Sequence, residues 1–169
     1  MSRAKLDLGR KERATHLTNN QAASRRDAVG RGVLTSQSDL DPALSFDVTG
    51  SGDRTPVLLH GLMFDRSVFD ELAAHLSGRF RVLAVDLPGF GRSDPPVESS
   101  APAFADVIAA LIRRVGGGPA TVLGWSMGAA VALHLALEHP HIVDRLILTG
   151  ATPMPAAASR LASRDPDCA

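Results

Sequence analysis

The stretch that decides the fold reads Thr121-Val-Leu-Gly-Trp-Ser-Met-Gly-Ala-Ala-Val-Ala-Leu-His-Leu-Ala-Leu-Glu138. Thr121–Leu123 is typical of a short buried strand, and Met127–Glu138 is apolar nearly all round, as expected of a helix covered on most sides. Between them lies Gly124-Trp-Ser-Met-Gly128, a Gly-x-Ser-x-Gly sequence. This order predicts a sharp strand-to-helix turn with Ser126 at its tip.

Strand-like and helix-like segments alternate on both sides of this stretch. Further strands are predicted at Leu44–Thr49, Val57–Leu59, Arg81–Val85 and Val143–Leu148, and further helices at Arg66–Leu76 and Ala103–Val115. Strands that alternate with helices of this length are connected by right-handed crossovers. The sequence therefore predicts an α/β fold whose mostly parallel sheet, with buried strands, has helices on both faces.

The charge is distributed unevenly along the 169 residues. Residues 1–31 carry eight Arg and Lys against three Asp and Glu, and the remaining chain carries ten against fifteen. We expect residues 1–40 to be a basic, poorly ordered extension, residues 41–155 to form the core, and residues 156–169 to be a tail. A frayed helix within the extension, or a start codon chosen too early, fits the first segment equally well.

Composition excludes several classes of protein. The net charge is zero, and seven aromatic residues without a tyrosine offer no stacking platform for single-stranded nucleic acid. One cysteine, Cys168, excludes an intramolecular disulfide and a cysteine-cluster metal site. No apolar run is long enough to span a bilayer, and the polar first thirty residues do not resemble a secretory signal. We expect a soluble cytoplasmic protein that binds neither nucleic acid nor membrane.

Ser126 is the candidate nucleophile. Gly124 and Gly128 suit a turn in which the strand and the departing helix pass close together, and the turn lifts the serine hydroxyl above the sheet. The first N–H groups of the helix, including that of Met127, would then point beside this hydroxyl. The alternative is that the motif arises by chance and Ser126 only caps a helix. The strand before it and the buried helix after it favour the nucleophile.

A second donor for a developing oxyanion is expected where Val57–Leu59 ends in His60-Gly-Leu-Met63. Gly61 allows the loop to fold back over the strand ends, which brings the Leu62 N–H near Ser126. His60 lies at the correct end of the sheet for a general base. Its position at the end of the strand nevertheless favours a structural role, in which it binds loop backbone.

No cofactor or metal is expected. Asp86 follows Arg81–Val85 and opens a tight loop, Asp86-Leu-Pro-Gly-Phe-Gly-Arg-Ser93, which lacks the third glycine and the immediate helix of a dinucleotide-binding fingerprint. The run from His134 to His141 has the wrong spacing for a His-x-x-Glu-His zinc site and contains a proline. Solvated histidines at the end of a helix explain it better.

From Leu44 to about Pro153, the chain resembles the α/β-hydrolase fold superfamily. The resemblance rests on Val57-Leu-Leu-His-Gly61, Val85-Asp-Leu-Pro-Gly-Phe-Gly-Arg-Ser-Asp94 and Val122-Leu-Gly-Trp-Ser-Met-Gly-Ala129. It is strongest toward the esterase, haloperoxidase-like and lactonase branches. It implies Ser126 as nucleophile, the N–H groups of Leu62 and Met127 as oxyanion hole, and an acyl or ester small molecule as substrate.

The same resemblance implies an acid and a histidine on loops after later strands, in the order Ser, Asp or Glu, His. Thr149-Gly-Ala-Thr-Pro-Met-Pro155 has no carboxylate at one alternative acid position. His134 and His139 lie roughly 12 and 20 Å along the helix from Ser126, beyond reach. We therefore expect a partial fold, truncated before the last strands and inactive or nearly so alone. An acyltransferase and a non-catalytic remnant that binds a partner or itself through the exposed Val143–Leu148 edge remain alternatives.

Overall fold

The computed structural model describes residues 29–34 and 42–151, whose strands form one six-stranded sheet. The strands are β1 (Val29–Leu34), β2 (Leu44–Thr49), β3 (Pro56–Leu59), β4 (Val82–Val85), β5 (Ala120–Trp125) and β6 (Val143–Thr149). Their spatial order is β1-β2-β4-β3-β5-β6. The last four are mutually parallel, whereas β2 runs antiparallel to both of its neighbours. The predicted mostly parallel sheet is confirmed.

Three α-helices connect the parallel strands: α1 (Asp70–Leu76), α2 (Ala101–Leu111) and α3 (Met127–Glu138). A 3-10 turn over Arg66–Phe69 leads into α1, and a π-helical turn over Ile112–Gly116 extends α2. α2 begins two residues earlier than predicted because the Ser100 hydroxyl accepts a hydrogen bond from the Ala103 N–H at 3.3 Å. Such a cap satisfies an N–H that has no intrahelical partner. α3 has the predicted bounds.

The helices cover both faces of the sheet, as predicted. Alternate residues of β3 and β4 point to opposite faces, because side chains alternate along a strand. On one face, Leu58 and Ala84 pack with Phe69 and Ala73 of the segment that ends in α1. The other face carries the larger core, formed with α2 and α3; it includes Val57, Leu59, Leu83, Val85, Val122, Ile108, Val131 and Leu135.

Strand β1 lies within residues 1–40, for which the sequence predicts a poorly ordered extension. Val29–Leu34 pairs with β2 over six residue pairs, from Val29 opposite Thr49 to Leu34 opposite Leu44. The segment reads Val-Gly-Arg-Gly-Val-Leu, and its two glycines weaken any local preference for a strand. Backbone pairing with β2 creates the strand. Residues 1–28, 35–41 and 152–169 lie outside the described residues, so the rest of the predicted extension and the predicted tail stay predictions.

β6 differs from the fully buried strand that its apolar run suggested. Val143 and Leu146 pack against the larger core, but Ile147 and Leu148 are 47% and 39% exposed. β6 forms one edge of the sheet described here, and α3 packs against it. Among the described residues, the edge of β6 that faces away from β5 is unpaired, and most of its side chains are exposed.

Candidate active site

Ser126 lies at the turn between β5 and α3, with φ 54° and ψ −113°. A positive φ is unusual for a residue with a side chain and carries backbone strain. The Ser126 carbonyl accepts the first helical hydrogen bond, from the Ala129 N–H at 2.9 Å. Its side chain makes no capping hydrogen bond to the helix. The geometry therefore speaks against Ser126 as an ordinary helix cap.

Two close backbone contacts explain the glycines around Ser126. A Cβ on Gly124 would overlap the carbonyl oxygen of Gly128, and a Cβ on Gly128 would overlap that of Leu59. Neither glycine has a positive φ. Glycine is required at both positions because β3, β5 and α3 approach one another too closely for any side chain.

The loop after β3, here called the oxyanion loop (residues 61–65), passes directly beside Ser126. A Cβ on Gly61 would lie 3.3 Å from the Ser126 Cβ. The Phe64 N–H donates to the Gly61 carbonyl at 3.3 Å, which closes a tight turn with Met63 at φ 67°. Leu62, whose N–H was predicted as an oxyanion donor, directly follows Gly61.

Met127 is the first residue of α3. The N–H groups of the first helical turn have no intrahelical acceptor, and the helix dipole makes this end electropositive. The predicted donors at Leu62 and Met127 thus flank the serine from two separate elements.

His60 is fully buried, and both of its ring nitrogens are occupied. Nδ1 lies 2.8 Å from the Gly61 carbonyl oxygen, and Nε2 accepts the Leu87 N–H at 3.0 Å. Since a carbonyl can only accept, the proton is assigned to Nδ1, which makes His60 neutral. Burial lowers the pKa of His60 and favours the same state. His60 therefore binds loop backbone and has no free nitrogen for a proton from Ser126.

Asp86 is also fully buried, at the end of β4. Its carboxylate accepts the Arg66 and Arg92 N–H groups, each at 2.9 Å, and pairs with the Arg66 guanidinium. A Cβ on Gly91 would overlap this carboxylate, so the glycine loop closes onto Asp86. The loop therefore packs around the Asp86 side chain.

The other described histidines lie on parts of the fold away from the turn at Ser126. His75 bonds the Glu71 carbonyl within α1, and His139 pairs with Asp106 at 2.7 Å. His134 lies two turns along α3, and His141 is exposed beyond its end. Within residues 42–151, the structure brings no histidine to Ser126 as a general base.

The sequence analysis missed four contributors to the site: Arg66, Asp47, Phe64 and Trp125. Arg66 pairs with Asp86 and with Asp47, the latter at 2.9 Å. The Phe64 ring packs on Trp125 with 4.8 Å between centroids. The only local signal for Trp125 is its position between Gly124 and Ser126 in the serine motif. The two ion pairs of Arg66 join residues about twenty positions apart in the sequence, so no local pattern predicts them.

In the part of the chain that the structure describes, no group of three His, Cys, Asp or Glu side chains is arranged to hold a metal ion. Among the helices described above, none has the length and apolar character needed to cross a bilayer.

Known proteins are similar to this chain in both sequence and fold. Residues 57–167 match the family model of the alpha/beta hydrolase fold. A pimeloyl-[acyl-carrier protein] methyl ester esterase from Vibrio cholerae is 36% identical over 125 residues, which are 74% of this chain and 47% of that protein. The esterase of the same name from Neisseria meningitidis serogroup A is 45% identical over 92 residues, 54% of this chain and 28% of that protein.

Among solved structures, a thermophilic esterase from Thermogutta terrifontis superposes with a TM-score of 0.65 and 31% identity. The match covers 80% of this chain and 53% of that one. The chain spans less than half the length of either curated esterase. Together with the strand order and the serine turn, these similarities confirm the resemblance found in the sequence: the chain belongs to the α/β-hydrolase fold family, and its relatives include esterases.

Proposed function

We propose that this chain carries the nucleophile half of a serine esterase site, which acts on an ester, lactone or related carbonyl compound. The observation that carries the proposal is the turn at Ser126, which has a positive φ and a side chain without a capping hydrogen bond, next to the start of the oxyanion loop at Gly61. The esterases with 36% and 45% identity support an ester as the substrate class.

In this proposal, the Ser126 Oγ attacks the substrate carbonyl carbon and the carbonyl oxygen becomes an oxyanion. The N–H groups of Leu62 and Met127 stabilise that charge. Expulsion of the alcohol leaves an acyl group on Ser126, and water then releases the acid. Both steps need a base that takes a proton from the attacking hydroxyl or water and returns it to the leaving alcohol or to the Ser126 oxygen, and a carboxylate that orients this base.

The base is absent from the neighbourhood of Ser126 within residues 42–151, where His60 is committed to backbone on both nitrogens. We therefore expect the isolated chain to hydrolyse activated esters weakly or not at all. An oxyanion hole and binding alone leave roughly 10³- to 10⁴-fold over water in intact serine proteases. We expect a smaller rate enhancement here, because the side chains in the middle of the oxyanion loop are largely exposed.

The test combines turnover of p-nitrophenyl acetate with labelling by a fluorophosphonate probe. The expected result is slow labelling at Ser126 that Ser126→Ala abolishes. Ser77→Ala serves as the matched control, because the Ser77 hydroxyl bonds the Ala74 carbonyl at the end of α1, away from the site.

Labelling that survives in Ser126→Ala would contradict the nucleophile assignment. Turnover at the rates of ordinary enzymes that is lost in Ser126→Ala would support the nucleophile and contradict the expectation of weak activity. His60→Gln would then show whether His60 acts as the base.

A further inference from the structure

Two consecutive residues after β4 hold both ends of the oxyanion loop. Where the loop starts, the Leu87 N–H donates to Nε2 of His60 at 3.0 Å. Where it ends, the Asp86 carboxylate accepts the Arg66 N–H at 2.9 Å and pairs with the Arg66 guanidinium. The loop is therefore clamped by one short segment of a different strand.

Packing contributes less to holding the middle of the loop. Its side chains Leu62, Met63 and Phe64 are 57%, 83% and 47% exposed. The backbone bond that closes the turn, from Phe64 to Gly61, is long at 3.3 Å. The Phe64 ring packs on Trp125 with 4.8 Å between centroids, which adds one contact in the middle of the loop. Segments with few buried contacts open easily, so the position of this loop depends largely on its anchored ends.

The anchor at Arg66 has the properties of a rigid attachment. Asp86 is fully buried and the Arg66 side chain is 11% exposed, while Asp47 forms an ion pair with the guanidinium Nε. Charge-assisted hydrogen bonds in a poorly solvated place are short, strong and directional. A buried ion pair adds little to net stability because desolvation offsets the attraction, so its main effect here is on geometry.

We propose that Asp86 is a positioning residue for the oxyanion donor at Leu62, an inference that rests on the proposed function of Ser126. Asp86 acts through Arg66 and through the adjacent Leu87–His60 bond, and it does not touch the substrate. Its carboxylate keeps the oxyanion loop where the Leu62 N–H faces the developing charge.

The test compares Asp86→Asn with Asp94→Asn in the whole chain. Asn at 86 turns an amide NH₂ toward N–H donors of Arg66 and Arg92, whereas Asp94 lies in the same loop with an exposed side chain. Backbone ¹⁵N order parameters at Leu62 and Met63 are expected to fall from about 0.85 to about 0.6 only in Asp86→Asn. Unchanged values in α3 confirm that the fold is intact.

The kinetics of fluorophosphonate labelling distinguish a positioning role of Asp86 from a purely structural one. In Asp86→Asn, the maximal labelling rate is expected to fall about 10- to 100-fold, while the half-saturating probe concentration stays within about twofold. Unchanged order parameters would overturn the inference. A mobile loop with an unchanged maximal labelling rate would overturn it too.

Failure of the proposed function gives a different result. If the wild-type chain is labelled no faster than Ser126→Ala, the esterase proposal fails, and the order parameters alone decide whether Asp86 anchors the loop. If Asp86→Asn does not fold, Arg66→Gln removes the guanidinium and keeps the backbone N–H. A smaller loss of order at Leu62 is then expected, and no loss overturns the inference.

Discussion

The backbone N–H of Ser126 donates a 2.9 Å hydrogen bond to the carbonyl of Thr149, the last residue of β6. The candidate nucleophile is thus tied to an edge strand of the described sheet. Next to Thr149, a Cβ on Gly150 would lie 3.2 Å from the Trp125 ring. The serine turn is therefore held between the oxyanion loop and the end of β6, and its conformation depends on both.

Ser126→Gly should be more stable than Ser126→Ala by about 1 kcal/mol, because glycine adopts a φ of 54° without strain. Chemical denaturation measures the free energies of unfolding. Ser77, with φ −59°, provides the control pair, and there Ala should be more stable than Gly. The same order of stability at both positions would show that Ser126 is not strained.

Gly128→Ala should destabilise the fold by about 2–3 kcal/mol, because its methyl group would overlap the Leu59 carbonyl and push α3 away from β3. Gly78→Ala makes the same chemical change where no atom lies within 4 Å of the new Cβ. It should alter stability by less than about 0.5 kcal/mol. Equal denaturation midpoints for the two variants would contradict the close approach.

The stability of the wild-type chain should fall as the pH drops from 7.5 to 5.0. Burial lowers the pKa of His60 below its usual 6.5, so the unfolded chain takes up a proton that the folded chain resists. The resulting stabilisation is complete at pH values above the pKa that His60 has in the unfolded chain. It is lost as the pH falls toward and through the lower pKa that His60 has in the folded chain. Melting temperatures at several pH values measure this slope.

The slope should be smaller in His60→Gln, which has no titrating ring at this position. His75→Gln is the control, since His75 lies on exposed α1 and bonds only local backbone. A slope in His60→Gln equal to that of the wild type would assign the pH dependence to other groups.

The exposed edge at β6 should cause self-association. Ile147 and Leu148 present apolar side chains on a strand whose outer edge is unpaired in the described sheet, a surface that favours pairing between chains. Ile147→Lys should shift sedimentation toward the monomer. Val97→Lys adds the same charge at a side chain that is 88% exposed outside the sheet, and association should persist. A wild-type chain that stays monomeric at high concentration would contradict this prediction.

Features that depend on neighbouring residues were predictable from the sequence. The apolar character of Met127–Glu138 gave the bounds of α3, and Gly124 and Gly128 placed the turn around Ser126. The signals for β3 and β4 were short apolar runs that end at His60 and Asp86. In each case the physical cause, side-chain periodicity or turn geometry, acts within a few residues of the chain.

Features that depend on distant partners were decided by the tertiary structure. β3 lies between β4 and β5, and this order places His60 against Leu87 and the oxyanion loop against Ser126. β1 exists because Val29–Leu34 pairs with β2, although its glycines give a weak local signal. The Arg66–Asp86 pair likewise forms only when the loop after β3 meets the end of β4. Apart from β1, sequence by itself determined which segments are strands and helices and where the turn at Ser126 lies. Burial and backbone pairing across the sheet decided which of their residues contact one another.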